Sequence, residues 1–391
     1  RYALDRDDAG VKAGWFGQEL KGGLNLPGSL PGQGIGDPIT TNTPWVGGIV
    51  DKSFFTAPEF AQHREPGKVR VPFWLQPTTY YKGVAWYQRD VDIPEAWKDK
   101  RVVLSLERAH WETRVWLDDQ FIGSNDSLST PHEYQLGVAL PPGKHRLTIR
   151  VDNRMVVDIG ENSHSISDHT QGNWNGIVGR IELRATPKVW IEDLQVYPEA
   201  AQRTFRVSGT LLPAEPQFQG QLGKMTLVIR RLGTEAVAGE VGETRRLVFP
   251  VAWGPPTATF DWSIPAEDIA GLELWDEFNP VVYELTATLP NGASRSVTFG
   301  LRDFATDGTQ FTINGRKTFL RGTLECAIFP RTGHTPTDLA SWRKVIAAAK
   351  AHGLNNLRFH SHCPPEAAFQ AADELGMYLH VECGTWPNQS T

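Results

Sequence analysis

Two hydrophobic periods divide this 391-residue chain, and the change near residue 311 limits what it can fold into. Before it, short apolar–polar alternations recur between turns, the two-residue period of strands. After it, strand-like runs are separated by stretches with the 3.6-residue period of helices. Residues 318–326 (TFLRGTLEC) read as a buried strand. Thr335 stands at a helix N-cap, with Pro336 at the first helical position and Asp338 where a capping-box acid belongs. Leu339, Trp342, Ile346 and Ala349 then form one helical stripe that Gly353 ends. Residues 354–360 read as the next strand, Pro364 opens a second helix through Phe369, Ala372 and Leu375 to Gly376, and residues 377–383 are the third strand. Strand–helix–strand–helix–strand is the opening of a parallel α/β unit. A closed (β/α)₈ TIM barrel takes about 250 residues, so the expectation for residues 303–391 is the first part of such a barrel, cut short.

The preceding residues read as two β-sandwiches. In 1–187, alternating runs cover 84–92, 101–107, 113–117 and 144–152. Val115 and Leu117 face one way and Arg114 and Trp116 the other, while Leu147, Ile149 and Val151 form an inner stripe. The turn Asp118-Asp119-Gln120 joins two runs, and the spacing suits a jelly roll. Residues 24–44 (with LPGSLPGQGIGDP) predict a long ordered loop or a mobile flap. Residues 188–302 hold strand-like runs at 189–197, 204–212, 224–230, 245–251 and 281–289, which suit an immunoglobulin-like sandwich without its disulfide.

Composition excludes several classes. At 40% apolar residues the chain has material for two or three cores. A net charge of −6 with no basic stripe argues against a nucleic-acid partner, and no apolar stretch is long enough for a membrane span. The sequence begins at Arg1 without a leader pattern, so any signal peptide was removed or lies outside it; a periplasmic or secreted setting is somewhat favoured over the cytoplasm. Nothing fixes the oligomeric state. Cys326, Cys363 and Cys383 all fall in the last segment, so no disulfide staples the rest. With His360 and His362 they could ligate zinc, and Cys326 with His360 could form a nucleophilic pair. Their spacing fits no ligand motif and nothing orients the pair, so no metal and no cofactor is expected.

Chemistry is expected at the C-terminal ends of the parallel strands. Those ends bring Glu325 and Cys326, then Arg358, His360, His362 and Cys363, then Glu382, Cys383 and Trp386. Such a rim suits a glycan or oligosaccharide: carboxylates and histidines bond hydroxyls, and an indole stacks on a sugar's apolar face. Arg358 beside a carboxylate would keep that acid ionised, or would form a salt bridge inside the barrel. In the first domain, Asp168-His169-Thr170-Gln171-Gly172-Asn173-Trp174 precedes a strand as a glycine-broken polar loop. Asp168, His169, Asn173 and Trp174 are therefore candidate substrate contacts, with an ordinary turn as the alternative.

Taken in order, several stretches resemble glycoside hydrolase family 2, the group of β-galactosidases, β-glucuronidases and β-mannosidases. They are YKGVAWYQRDVDIP (81–94), HWETRVWLDDQFIG (110–123), PHEYQL (131–136), LTIRVDNR (147–154), WNGIVGRIEL (174–183), LELWDEFNPVVYEL (272–285) and FTINGRKTFLRG (311–322). The resemblance implies a sugar-binding jelly roll, an immunoglobulin-like domain and a TIM barrel. It also implies a retaining exo-acting β-glycosidase of carbohydrate catabolism, β-galactosidase-like, with two glutamates about 5 Å apart. In the family the acid follows the fourth strand and the nucleophile lies near the seventh, so both would fall after residue 391; Glu382 matches a substrate-contacting acid. RFHSHCPPEAAF (358–369) carries one residue more after its Arg than the family pattern and Cys363 in place of Tyr, and ECAIFPRTG (325–333) replaces a His-rich loop. A sugar other than galactose fits these departures equally well. The competing reading is a non-catalytic carbohydrate-binding or scaffolding protein.

Overall fold

The computed structural model describes residues 1–40, 42–44, 56–66, 77–158, 168, 173–202, 204–215, 218, 221–234, 237–241, 246–249, 257–265 and 271–382. The two-residue alternation of the first segment becomes two antiparallel sheets. One runs in the order Tyr2–Asp5, Val84–Ile93, Gly143–Asp152, Glu112–Leu117, Gln120–Asn125; the other in the order Gly28–Ser29, Gly176–Thr186, Arg101–His110, His132–Val138. Their facing sides share one core that includes Tyr87, Leu104, Leu106, Val115, Ile149, Val151 and Ile177. Val115, Leu117, Leu147, Ile149 and Val151 point inward as the alternation requires.

The opposite face is not left to water. Trp86 and Trp116 are buried on it under Leu20, Trp15 and Phe16, because the first twenty residues fold back across the sheet. Asp5 fixes that return: it accepts from the Trp86 indole at 2.9 Å and from the backbone N–H of Gly10 at 2.8 Å. Arg150, also buried there, is neutralised by Asp8 at 2.7 Å and Glu112 at 2.9 Å, the pairing a buried cation requires. The glycine- and proline-rich stretch at 24–44 is an ordered loop over its described residues. Gly28–Ser29 pairs with the strand at 176–177, and Leu30 behind it is fully buried.

Residues 189–301 place two further sheets around a second core. Val189–Glu199, Thr204–Pro213 and Ala258–Pro265 form one; Val237–Val241, Thr226–Arg231, Tyr283–Thr288 and Ser294–Phe299 form the other. Phe205, Val207, Leu227, Ile229, Leu285 and Phe299 meet between them.

Beyond an antiparallel hairpin sheet of Phe304–Asp307, Gln310–Ile313 and Arg316–Thr318, the period changes as the sequence predicts. Gly322–Glu325, Asn356–Phe359 and Tyr378–Val381 pair in parallel, with the helices Leu339–Ala351 and Glu366–Leu375 between them. Leu357 and Phe359 are buried with Trp342, Ile346, Ala368 and Ala371, so both helices cover one face of this sheet. The other face carries Leu324, Arg358 and His380, which the register sets side by side and which are all exposed.

Two expectations are corrected. The run 318–326 is not one buried strand. Only Gly322–Glu325 is a parallel strand, and it is mostly exposed because it forms one edge of the sheet, with Arg316–Thr318 drawn into the hairpin. The first helix starts three residues later than its Thr335-Pro336 signal implied: Asp338 is itself the N-cap, its carboxylate accepting from Ser341 N–H at 2.8 Å. Thr335 is buried instead. Among the described residues no helix is long and apolar enough to cross a membrane.

If the face of Leu357 and Phe359 is a packed core, Ile346→Ala should cost about 2–5 kcal/mol. Hydrogen exchange across residues 356–359 reads it; protection unchanged from the parent would show that this layer does not hold the sheet.

Candidate functional site

Parallel pairing brings three strand ends to one level, and the side chains there converge. At the end of the middle strand the chain turns through His360, Ser361 and His362. Ser361 takes a left-handed φ of 57°, which aims its N–H at the neighbouring strand end, where it donates to Glu382 Oε2 at 2.9 Å. The other oxygen, Oε1, accepts from Arg358 Nε at 2.5 Å. Partial burial pushes the Glu382 pKa up, but the Arg358 and Ser361 hydrogen bonds and the Arg358 and His360 charges together outweigh it. Glu382 is therefore held below the usual carboxylate range, ionised at neutral pH, with its side chain still 21% exposed.

Glu325 ends the first strand. Its Oε1 accepts from Ala327 N–H at 3.0 Å. Its Oε2 lies 3.0 Å from His362 Nε2, a charge contact without hydrogen-bond geometry, and neither buried atom has a hydrogen-bond partner among the described residues. His360 is tied to the same strand by its backbone N–H, 2.9 Å from the Glu325 carbonyl. Burial and the Glu325 charge raise the Cys326 pKa; that favours the thiol over the thiolate a nucleophilic pair would need. Among the described residues no cluster of three or more His, Cys, Asp or Glu side chains is arranged to hold a metal ion.

Glu325, Arg358, His360, His362 and Glu382 thus share one rim. The glycine-broken loop of the first sandwich divides. Asp168 is buried within that sandwich, accepting from the Tyr80 hydroxyl at 3.0 Å and Lys82 Nζ at 2.9 Å. Asn173 is also turned inward, its Oδ1 3.1 Å from His110 Nε2 and accepting from Asn153 Nδ2 at 2.9 Å. Trp174 alone of the three reaches across. It lies between His110 and His334, ring centroids at 5.0 and 5.2 Å, and so touches the loop that follows Glu325. Ser29 secures the same loop by donating its hydroxyl to the Thr332 carbonyl at 2.5 Å. Burial and the nearby Arg108 charge push the His334 pKa below its ordinary value, which favours the neutral form of the ring against Trp174. His169, Cys383 and Trp386 lie outside the described residues.

Sequence reasoning missed Ser29, Arg108, His334 and Ser361. Arg108 breaks the alternating apolar stripe of Val102, Leu104 and Leu106, a visible signal. Ser361 has none, since nothing in its residue type announces a left-handed turn.

The chain is similar to several known proteins. A family model described as "Glycosyl hydrolases family 2, sugar binding domain" matches residues 48–187. A β-galactosidase of Arthrobacter sp. (strain B7) is 27% identical over 302 residues, which cover 76% of this chain and 26% of the relative. A β-galactosidase large subunit of Latilactobacillus sakei is 24% identical over 368 residues, covering 89% of this chain and 52% of the relative. The structure of a Bacteroides uniformis β-glucuronidase, covalently bound to a cyclophellitol-6-carboxylate aziridine, shares the fold with a TM-score of 0.64 at 20% identity, over 78% of this chain and 37% of that one. This chain therefore spans about a quarter to a half of the length of these curated relatives.

The Arg358–Glu382 pair has a pH signature. An acid whose native pKa is depressed stabilises the fold fully above its unfolded value, about 4.3, and the contribution fades as pH falls through the native value. Arg358→Met is expected to move the Glu382 carboxyl titration, followed by carbon-13 NMR, back toward that unfolded value and to flatten the acid limb of the stability curve. An unmoved titration would show that the guanidinium does not set this charge.

Proposed function

As a member of glycosyl hydrolase family 2, this chain is, we propose, the leading part of a retaining, exo-acting β-glycoside hydrolase. In this reading residues 1–187 are the sugar-binding jelly roll, 188–302 an immunoglobulin-like support, and 303–391 the first arc of the catalytic TIM barrel. The observation that carries it is the ionised Glu382, gripped by Arg358 and Ser361 at the C-terminal ends of parallel strands. Barrel enzymes build their sites at that end. The exposed row of Leu324, Arg358 and His380 supports it too, because that is the side the interior of a closed barrel would cover.

The chemistry follows from the division of labour. Glu382 accepts a hydrogen bond from a hydroxyl of the terminal sugar, Arg358 keeps it ionised, and His360, His362 and Glu325 line the rim around the ring. Trp386 and Trp174 belong to the same site in this reading, one as a stacking platform and the other by holding the 326–335 loop. The proton donor and the attacking carboxylate, about 5–5.5 Å apart in retaining enzymes, belong to residues after 391. The relatives' β-galactosidase names favour a β-galactoside or a closely related β-glycoside as substrate. A non-catalytic glycan-binding protein is the other reading, favoured by the match of the sugar-binding domain model.

The complete protein is expected to hydrolyse an aryl β-glycoside, and the 391-residue chain by itself is not; turnover by the purified 391-residue chain would refute the assignment of the catalytic groups. Within the complete protein, Glu382→Gln removes a charged acceptor and should lower kcat/KM about 10- to 100-fold. Unchanged kinetics would remove Glu382 from the substrate site.

A further inference from the structure

The first sandwich touches the candidate site at a second place, the turn that carries His362. Its strands Arg101–His110 and Gly176–Thr186 pair in register up to Val178↔Arg108, then slip to Ile181↔Leu106. Gly179 and Arg180 form the resulting bulge. Gly179 has a φ of +75°, and a Cβ on it would lie 2.6 Å from the carboxyl carbon of Glu107, so the bulge favours glycine. The Glu107 carboxylate closes over it, accepting from Arg180 N–H at 2.9 Å and pairing with Arg180 Nε at 3.2 Å.

Two arginines at this slip reach the segment that carries the parallel sheet. Arg180 reaches Glu366, the first residue of the second helix; both are exposed, and such a pair contributes little. Arg108 is the stronger hold. It is partly covered, next to Cys363, and its Nη2 donates to the Pro364 carbonyl at 3.1 Å. Pro364 and Pro365 are both buried, and consecutive prolines allow little rotation about φ. Pro365 restricts ψ of Pro364 and Pro364 restricts ψ of Cys363, so a carbonyl fixed at 364 limits where Cys363, and with it His362, can stand. From the other side Ser361 N–H is fixed on Glu382. His362 sits between these two anchors, 5% exposed, with Nε2 against Glu325.

We propose that Arg108 is a positioning residue: through the Pro364 carbonyl it sets where His362 stands in the site, so the first sandwich acts on the parallel sheet's chemistry without touching substrate. The inference rests on the reading of the rim as a sugar site. It adds that the specificity of the rim depends on a residue of a different domain.

The test is Arg108→Met, which keeps the length of the side chain and removes its donors. In the complete protein KM for an aryl β-glycoside should rise about tenfold with kcat held within about twofold, the pattern for a lost ground-state contact. In this 391-residue chain the His362 Cε1–H proton resonance, assigned with His362→Gln, should shift. Arg108→Lys should recover part of both. Arg206→Met, which cuts a surface pair with Asp261 in the second sandwich, should change neither. Should Arg108→Met fail to fold, Arg108→Gln is held to the same criteria. KM and the His362 resonance both as in the parent would overturn the proposal. A complete protein that cleaves no glycoside would sink the functional reading instead, and the resonance would still decide whether Arg108 positions His362.

Discussion

In-step parallel pairing is the constraint on which the remainder depends. Leu324, Arg358 and His380 occupy one row across the three strands, and Glu325, Phe359 and Val381 the next. Three strands therefore stop at the same level, and the residues that follow them, however distant in sequence, are delivered to one rim. Antiparallel pairing would have sent alternate ends to opposite sides. With the strand ends level, Arg358 can cross to Glu382, and Ser361 can add a second donor without any rearrangement of the strands.

The first sandwich is fastened to that rim rather than tethered beside it. Ser29 and Trp174 hold the loop after the first parallel strand, and Arg108 holds the turn after the second. The sandwich in turn is stiffened on both faces, by the shared core within and by the indoles of Trp86 and Trp116 beneath the returning first residues. A rigid partner is a precondition for geometry at a site, since small misplacements are costly there.

Much of this was legible because it follows from period and punctuation. The strand alternation around Val115 and Ile149, the helical stripe of Trp342 and Ile346, and the stop at Gly376 each have a local cause. The convergence of Glu325, Arg358, His360, His362 and Glu382 was also readable, since parallel strand ends must meet. What stayed hidden depends on partners far away in sequence. Asp168 looks free to bind a ligand until Tyr80 and Lys82 are seen to occupy it, and Asn173 until His110 and Asn153 are. The burial of Trp116 needed the returning segment, and the exposure of Gly322–Glu325 needed its place at a sheet edge.

A mechanism-based β-glycoside label on the complete protein, with the modified peptide mapped by mass spectrometry, goes straight to the central assignment. This account predicts one covalent adduct on a glutamate that follows residue 391, with formation slowed when Glu382 is changed to Gln. An adduct on Glu325, Glu382 or any other residue of the 391 would contradict it.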